Sequence, residues 1–483
     1  MNTRALCLVL MAMSMAGCAN YSGLDTQGQR LDANTLQTGK SLSGVTLSSA
    51  AWPSADWWKS LGDPQLDGLI NEALQNSPDM QVASARAHQA QAAAYAADAA
   101  RMPTLDASAG VSRSRLAKDQ DPRGEGDAYS TVRNIGASFN YTFDLWGGQR
   151  AAWEAALGQA RAAQVDQQAA RLTLAADVAK AYSDLGQAHI VRDLAEEDLK
   201  RTRQMLELSQ RRLDSGIDSH YQYQQTESLA ASSESQLIDA QKQLQSAKIA
   251  LAVLLGKGPD RGGELARPAV LKPAAVAVPA VLPAELLGRR PDLIAARWRV
   301  EAAGRNIDAS KTRFYPNLNL SASAGAESLL GDAMFGSASR FFNIAPTVSL
   351  PIFDGGRLRA DLDARDADYD LAVAQYNKTL VQALGDIGNT LSQLRDTGRQ
   401  IQAQQHATDI AQQSYDTVVQ RYGSGIGSYL DVLSIEQQLL QAQRQLATLN
   451  AGQITLSIQL MQALGGGYSA SNVASTTPAT RTE

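Results

Sequence analysis

Apolar and polar residues alternate strictly in four short stretches of the chain. Over 317–326, Leu318, Leu320, Ala322, Ala324 and Ala326 share one side, and Asn317, Asn319, Ser321, Ser323 and Gly325 share the other. Over 344–353, Ile344, Val348, Leu350 and Ile352 alternate with Ala345, Thr347, Ser349 and Phe353. The first half repeats the pattern with Leu105, Ala107, Ala109 and Val111, then with Ile135, Ala137, Phe139, Tyr141 and Phe143. Period two predicts strands with one apolar face. Pro346 and Pro351 argue against a central soluble strand and are tolerable near a rim or bulge. Polar, Gly-rich loops at 117–129 and 330–340 join the strands of each pair, and a helical segment precedes each pair, at 78–101 and 291–312.

After each pair the chain reads Phe-Asp, then Gly-Gly: "YTFDLWGGQR" at 141–150 and "PIFDGGR" at 351–357. The pairs Gly147-Gly148 and Gly355-Gly356 mark strand-to-helix junctions, because glycine lets a tilted strand turn into a helix at little steric cost. Residues 149–214 and 357–422 then contain no proline. Each stretch predicts one helix of roughly 100 Å at 1.5 Å per residue. Turns containing Gly216 (214–217) and Gly425 (423–427) reverse the chain into shorter helices with heptad seams. One seam runs through Leu237, Ala240, Leu244, Ala247, Leu251 and Leu254. The other runs from Val432, Ile435, Leu439 and Ala442 to Leu460 and Ala463. Their 3-4 spacing, with small residues interspersed, is that of a coiled coil.

The two halves are one duplicated plan. "RRLDSGIDSHYQ" (211–222) matches "QRYGSGIGSYLD" (420–431), and "ALAVLLGKG" (250–258) matches "QLMQALGGG" (459–467), both at an offset of 209. Pro103 and Pro316 stand 213 apart. Self-similarity in constant order signals internal repetition. The expected organisation is a signal segment (1–17), an N-terminal segment (18–77), a first repeat (78–256), a Pro-rich linker (257–284), a second repeat (285–465) and a disordered tail (466–483). Within the N-terminal segment, Trp52, Trp57 and Trp58 predict an ordered piece packed on the helices.

Composition sharpens this picture. Only 6% of residues are aromatic, which suits long helices with small-residue contacts. A net charge of -5 gives no reason for a nucleic-acid partner. Arg4, the apolar run "ALCLVLMAM" and "SMAGC" make a secretory signal that ends at Cys18. Met15-Ala16-Gly17-Cys18 resembles the bacterial lipobox, which implies lipidation of Cys18 and stable anchoring by several acyl chains. Ala19 after the cysteine resembles the outer-membrane default of that class. No catalytic or metal constellation stands out: His88, His189, His220 and His406 sit singly, HExxH, CxxC and GxSxG are missing, and "TGKS" at 38–41 lacks the upstream glycine of a P-loop. No enzyme activity, cofactor or metal is expected.

Four strands of membrane-spanning length cannot close by themselves, and open edges are not tolerated in lipid. Copies must pool their strands. Two copies give eight strands and a filled interior, whereas three give twelve and room for water. The expected fold is thus an α+β membrane protein whose copies pool their strands into a transmembrane β-barrel.

At "DWWKSLGDPQLDGLINEAL" (56–74), "GRRPDLIAARWRVEAA" (288–303), "FYPNLNLSASAG" (314–325), "IAPTVSLPIFDGGR" (344–357) and "SYLDVL" (428–433) the chain resembles TolC/OprM-type outer-membrane factors, within the NodT-like lipoproteins of tripartite efflux systems. The resemblance implies a homotrimer, with a twelve-strand transmembrane β-barrel continued by a long α-helical periplasmic barrel, that exports drugs or small toxic compounds, is set in outer-membrane lipid and is joined to a periplasmic adaptor and an inner-membrane pump of RND or MFS type. The exit duct of a type I protein-secretion system would use the same fold. The resemblance also implies an aperture acid at Asp431, with Ser434 in place of a second one, and a tyrosine, Tyr422, that ties neighbouring helices. It makes Gly216 and Gly425 the hairpin tips where an adaptor docks. Ser428-x-x-Asp431 also reads as a capping box, as does Ser219-x-x-Gln222.

Overall fold

A computed structural model of the protein describes residues 20–36, 47–48, 52–115, 117, 129–273, 278–279, 287–330 and 332–468. The signal segment, Cys18, the "TGKS" stretch, most of the 117–129 loop and the tail beyond 468 lie outside the described residues. Seven α-helices occur among the described residues: α1 (Pro64–Asn76), α2 (Pro78–Ala99), α3 (Gly148–Asp214), α4 (His220–Leu254), α5 (Pro291–Thr312), α6 (Arg357–Gly423) and α7 (Tyr429–Ala463). The strands are β1 (Leu47–Ser48), β2 (Thr104–Arg115), β3 (Tyr129–Phe143), β4 (Val278–Pro279), β5 (Asn317–Leu329) and β6 (Arg340–Ser349). Helices α3 and α6 each have 67 residues, and α4 and α7 each have 35. All four helix bounds recur at the offset of 209. The duplication is therefore one of elements, residue for residue. Among the described residues no helix is long and apolar enough to cross a membrane.

The chain forms two compact units that cut across the two repeats. The first comprises 1–30, 87–163 and 296–377. It carries an antiparallel sheet in the order β2-β3-β5-β6. The registers align the predicted apolar sides into continuous rows: Leu105–Phe139–Ala322–Ile344, Ala107–Ala137–Ala324–Phe342, and Phe143–Leu318–Val348. The opposite face carries Thr104–Asn140–Ser321–Ala345 and Asp106–Ser138–Ser323–Asn343. The apolar face stands bare in the single chain, with Leu105 75%, Phe342 82% and Val348 68% exposed. At the loop end the rows turn charged. There Arg133 Nη2 donates to Ser328 Oγ, Leu329 O and Asp332 O. Gly136 and Gly325 face each other in register, and the Phe341 ring covers both on the polar side. A Cβ on Gly325 would lie 2.3 Å from Ile135 O, so this pairing needs glycine.

The sequence pattern ran the last strand to 353, whereas β6 ends at Ser349. Pro351 lacks an N–H for the ladder, and Leu350, Ile352 and Phe353 belong to the descent toward α6. Pro346 stays inside β6, opposite Leu320. It is tolerated there because β6 is an edge strand of the single-chain sheet.

The second unit comprises 31–86, 164–295 and 378–483. Its core joins Trp57, Trp58, Leu61, Leu66 and Ile70 to Leu174, Val178 and Tyr182 of α3, Leu251 of α4 and Ile458 of α7. The tryptophan segment is thus packed as expected. Asp63 caps α1 through Gln65 N and accepts from Tyr182 Oη at 2.6 Å and from Ala269 N at 3.0 Å. The described part of the predicted linker is built into this core. Arg261 clamps Glu72, Leu265 is buried, and Lys272 N donates to Leu61 O. The "GRRPDL" motif closes the end of α7: Arg290 Nη1 donates to Ala463 O, and Arg289 lies over the Trp52 ring. Residues 466–468, expected to open the disordered tail, are packed. Gly466 presses on Leu172 and Gly467 on the Ser54 carbonyl, so packed chain continues to Tyr468. His189 is buried, and desolvation first, then the Arg267 charge, lowers its pKa.

Candidate channel mouth and strand–helix junctions

The junctions belong to the first unit. Gly147, Gly355 and Gly356 have φ of 75°, 68° and 87°, in the left-handed region that disfavours a Cβ. Gly148 is needed for a different reason: a Cβ there would lie 2.1 Å from Thr312 Oγ1 at the end of α5. The aspartate of each Phe-Asp does work that the sequence reading missed. Asp144 accepts from Gln149 N and Arg150 N at the start of α3, and Asp354 from Gly356 N and Leu358 N at the start of α6. Each satisfies two amides that a helix start leaves unpaired. The duplicated Phe-Asp was the available signal.

Aromatic residues gather beside these turns. Trp146 stacks on Tyr315 and donates its Nε1 to Pro316 O at 2.7 Å. Tyr315 and Tyr21 share a hydroxyl hydrogen bond. Residues 20–29 then run along α6 as a strap. Arg359 donates to Asn20 O and Ser22 O, Asp370 accepts from Gln27 N and Gly28 N, and Asn377 donates to Gln29 O. Tyr21 and Leu24 pack on Phe314, Leu358 and Leu362.

The helix tips belong to the second unit. Gly216 (φ 72°) and Gly425 (φ 76°) close the two turns. In the first, Ser219 and Gln222 form a full capping box. In the second, Ser428 instead caps through Leu430 N, and Asp431 takes no part. This corrects the capping-box reading of Asp431. Its side chain, like that of Ser434, is exposed on the first turns of α7.

Beside these turns lies a polar lock that the sequence did not announce. Asp218 accepts from Arg212 Nε at 3.0 Å and from the buried Tyr422 hydroxyl at 3.1 Å. The Arg212 guanidinium lies over the Tyr422 ring. Burial first, then the Asp218 charge, pushes the Tyr422 phenol up to about 12, so it remains a donor at any physiological pH. Tyr422, Tyr429, Val432 and Met205 form a buried cluster around it. Ile217 and Ile426, equivalent under the offset of 209, are 63% and 75% exposed. Each tip therefore presents a bare isoleucine next to its glycine.

A family model described as outer membrane efflux protein matches residues 69–257 and 282–466. The two segments follow the two repeats. The chain is 31% identical over 478 residues to the multidrug resistance outer membrane protein MdtP of Escherichia coli K12, covering 97% of both chains. It is 36% identical over 373 residues to the fusaric acid resistance protein FusA of Burkholderia cepacia, covering 76% of this chain and 69% of the relative. Among solved structures, the outer membrane protein VceC of Vibrio cholerae shares 36% identity with a TM-score of 0.79, over 86% of this chain and 100% of its own. With both repeats matched and the sheet, junctions and helix hairpins in place, the chain belongs to the outer membrane efflux protein family.

Proposed function

We propose that three copies of the chain pool their sheets into a twelve-strand barrel in the outer membrane and their helices into a periplasmic tunnel, which together form the exit duct of a tripartite pump for drugs or small toxic compounds. The observation that carries this reading is the four-stranded sheet with one bare apolar face, one polar face and two open edges, β2 and β6. Lipid accepts the apolar face, but it accepts the edges only when they are paired. From Leu318 to Ala326 the apolar side spans about nine residues, the length of a tilted transmembrane strand. The aromatic cluster at Trp146 and Tyr315 suits the membrane–water boundary.

The finer assignments rest on the same frame. Asn20, two residues after Cys18, is tied to Arg359 just past the Gly355-Gly356 turn, which suits an acyl anchor inserted next to the barrel. The exposed Ile217 and Ile426 at the Gly216 and Gly425 tips suit a periplasmic adaptor that docks on apolar tips, with an inner-membrane pump of RND or MFS type beyond it. Asp431, exposed beside the second tip, would ring the periplasmic mouth, with Tyr422 locking the helices behind it. The relatives' names point to small toxic molecules as cargo. Deletion tests the reading: loss of the chain lowers resistance to such compounds and re-expression restores it. Unchanged susceptibility with loss of a secreted protein would move the chain to a protein-secretion duct.

A further inference from the structure

A second polar cluster lies in the helices behind the tips. Asp198 of α3, Ser233 and Gln236 of α4, and Glu436 of α7 line one cavity of about 360 Å³. Asp198 and Glu436 are each 2% exposed. Asp198 Oδ1 and Glu436 Oε1 have no hydrogen-bond partner, and neither do Nε and Nη2 of Arg201. Arg201 Nε stands 3.8 Å from Glu436 Oε1, and its guanidinium lies over the Tyr415 ring of α6. Arg444, also on the cavity wall, gives its Nη2 to Gln236 at 2.7 Å.

Two buried carboxylates thus face one close guanidinium. A metal ion would have to sit against Arg201, and an anion against Asp198. A single proton answers the imbalance, because it removes one charge and turns Glu436 into a donor for the acceptors around it. Helix packing does not require the cluster. Under the offset of 209, Asp198 and Arg201 correspond to Ala407 and Ile410, and Glu436 corresponds to the exposed Glu227.

We propose that Glu436 holds a proton in this cavity beside Asp198, and that its release loosens α7 from α3 close to the Asp431 turn. The latch rests on the reading of that turn as the channel mouth, and it would make the mouth respond to periplasmic pH. Burial first, then the Asp198 charge, pushes the Glu436 carboxyl up to about 7, with Arg201 opposing. Tyr415 and Tyr429 are both raised and stay neutral in this range, and α4 lines the cavity with the uncharged Leu229, Ser233 and Gln236. The folded-state value exceeds the ordinary 4.5. The contribution to stability is therefore complete below the ordinary value, and it is lost as pH rises through about 7.

The test is thermal unfolding of the full-length protein in detergent from about pH 5.5 to 8.5, with bilayer conductance over the same range. The parent should lose thermal stability as pH rises through neutrality while its conductance grows. Glu436→Gln should flatten both profiles, and Asp198→Asn should move the transition to lower pH. A flat parent profile, or the same fall in Glu436→Gln, overturns the proton on Glu436 whether or not the chain forms a channel. Should Glu436→Gln not fold, an unmoved midpoint in Asp198→Asn overturns it equally. A stability step without a conductance change overturns the link to the mouth and leaves the exit-duct reading standing.

Discussion

Tyr422 and Asp218, 204 residues apart in sequence, are joined by a buried 3.1 Å hydrogen bond between the end of α6 and the turn before α4. Neither residue has a like counterpart under the offset of 209: Tyr422 corresponds to Leu213, and Asp218 to Gly427. The duplicated hairpins are locked together by two residues that break the duplication. Tyr422→Phe removes the bond and leaves Asp218 with Arg212. We expect a loss of about 1 kcal/mol in stability and a larger single-channel conductance in planar bilayers. Conductance equal to the parent's would place the aperture elsewhere.

Asp431 does not cap α7, because Ser428 does so through Leu430 N. Asp431→Asn should therefore leave thermal stability nearly unchanged while lowering cation selectivity and the block by multivalent cations. Ser434→Asp should strengthen that block by adding a second acidic ring. A drop in stability with parent-like selectivity in Asp431→Asn would make the residue merely structural.

The sheet offers a paired comparison of its faces. Ala324 lies in the apolar row with Ala137 and Phe342, while the adjacent Ser323 lies in the polar row with Ser138 and Asn343. Ala324→Arg should cost about 2–4 kcal/mol of assembly stability in lipid, and Ser323→Arg far less, with altered ion selectivity instead. Equal costs, read by gel-shift unfolding of the trimer, would mean that the face assignment is wrong.

Cys18→Ser should abolish acyl labelling in cells. The strap at 20–29 keeps its hydrogen bonds to Arg359, Asp370 and Asn377 without any lipid. The variant should therefore still assemble. Labelling that persists in Cys18→Ser would point to another acceptor.

Much of this architecture was legible in the sequence because periodicity reports solvent exposure. Alternation placed the strands and their faces, and the absence of breakers gave two long helices whose observed starts and ends lie within one residue of the expected ones. The glycine pairs marked the turns. What escaped were the particular side-chain hydrogen bonds. The duplicated Phe-Asp singled out Asp144 without saying that its carboxylate turns back onto two amides of α3, and Asp218 looks like an ordinary turn residue until Arg212 and Tyr422 close on it. The Ser428–Asp431 spacing fitted a capping box, but the side-chain geometry chose the nearer amide of Leu430. The end of β6 was overrun because alternation continues past Pro351, and alternation carries no information about a missing N–H.

The open edges of the sheet have a genetic consequence. If β6 of one copy must pair with β2 of the next before either can rest in lipid, the ring is the unit of function and no copy acts alone. One allele with a damaged edge, coexpressed with an intact one at equal dose, would leave only about one ring in eight free of the defect, because three copies are drawn at random into each. Edge lesions should therefore behave as dominant, and lesions that prevent the chain from reaching the membrane as recessive.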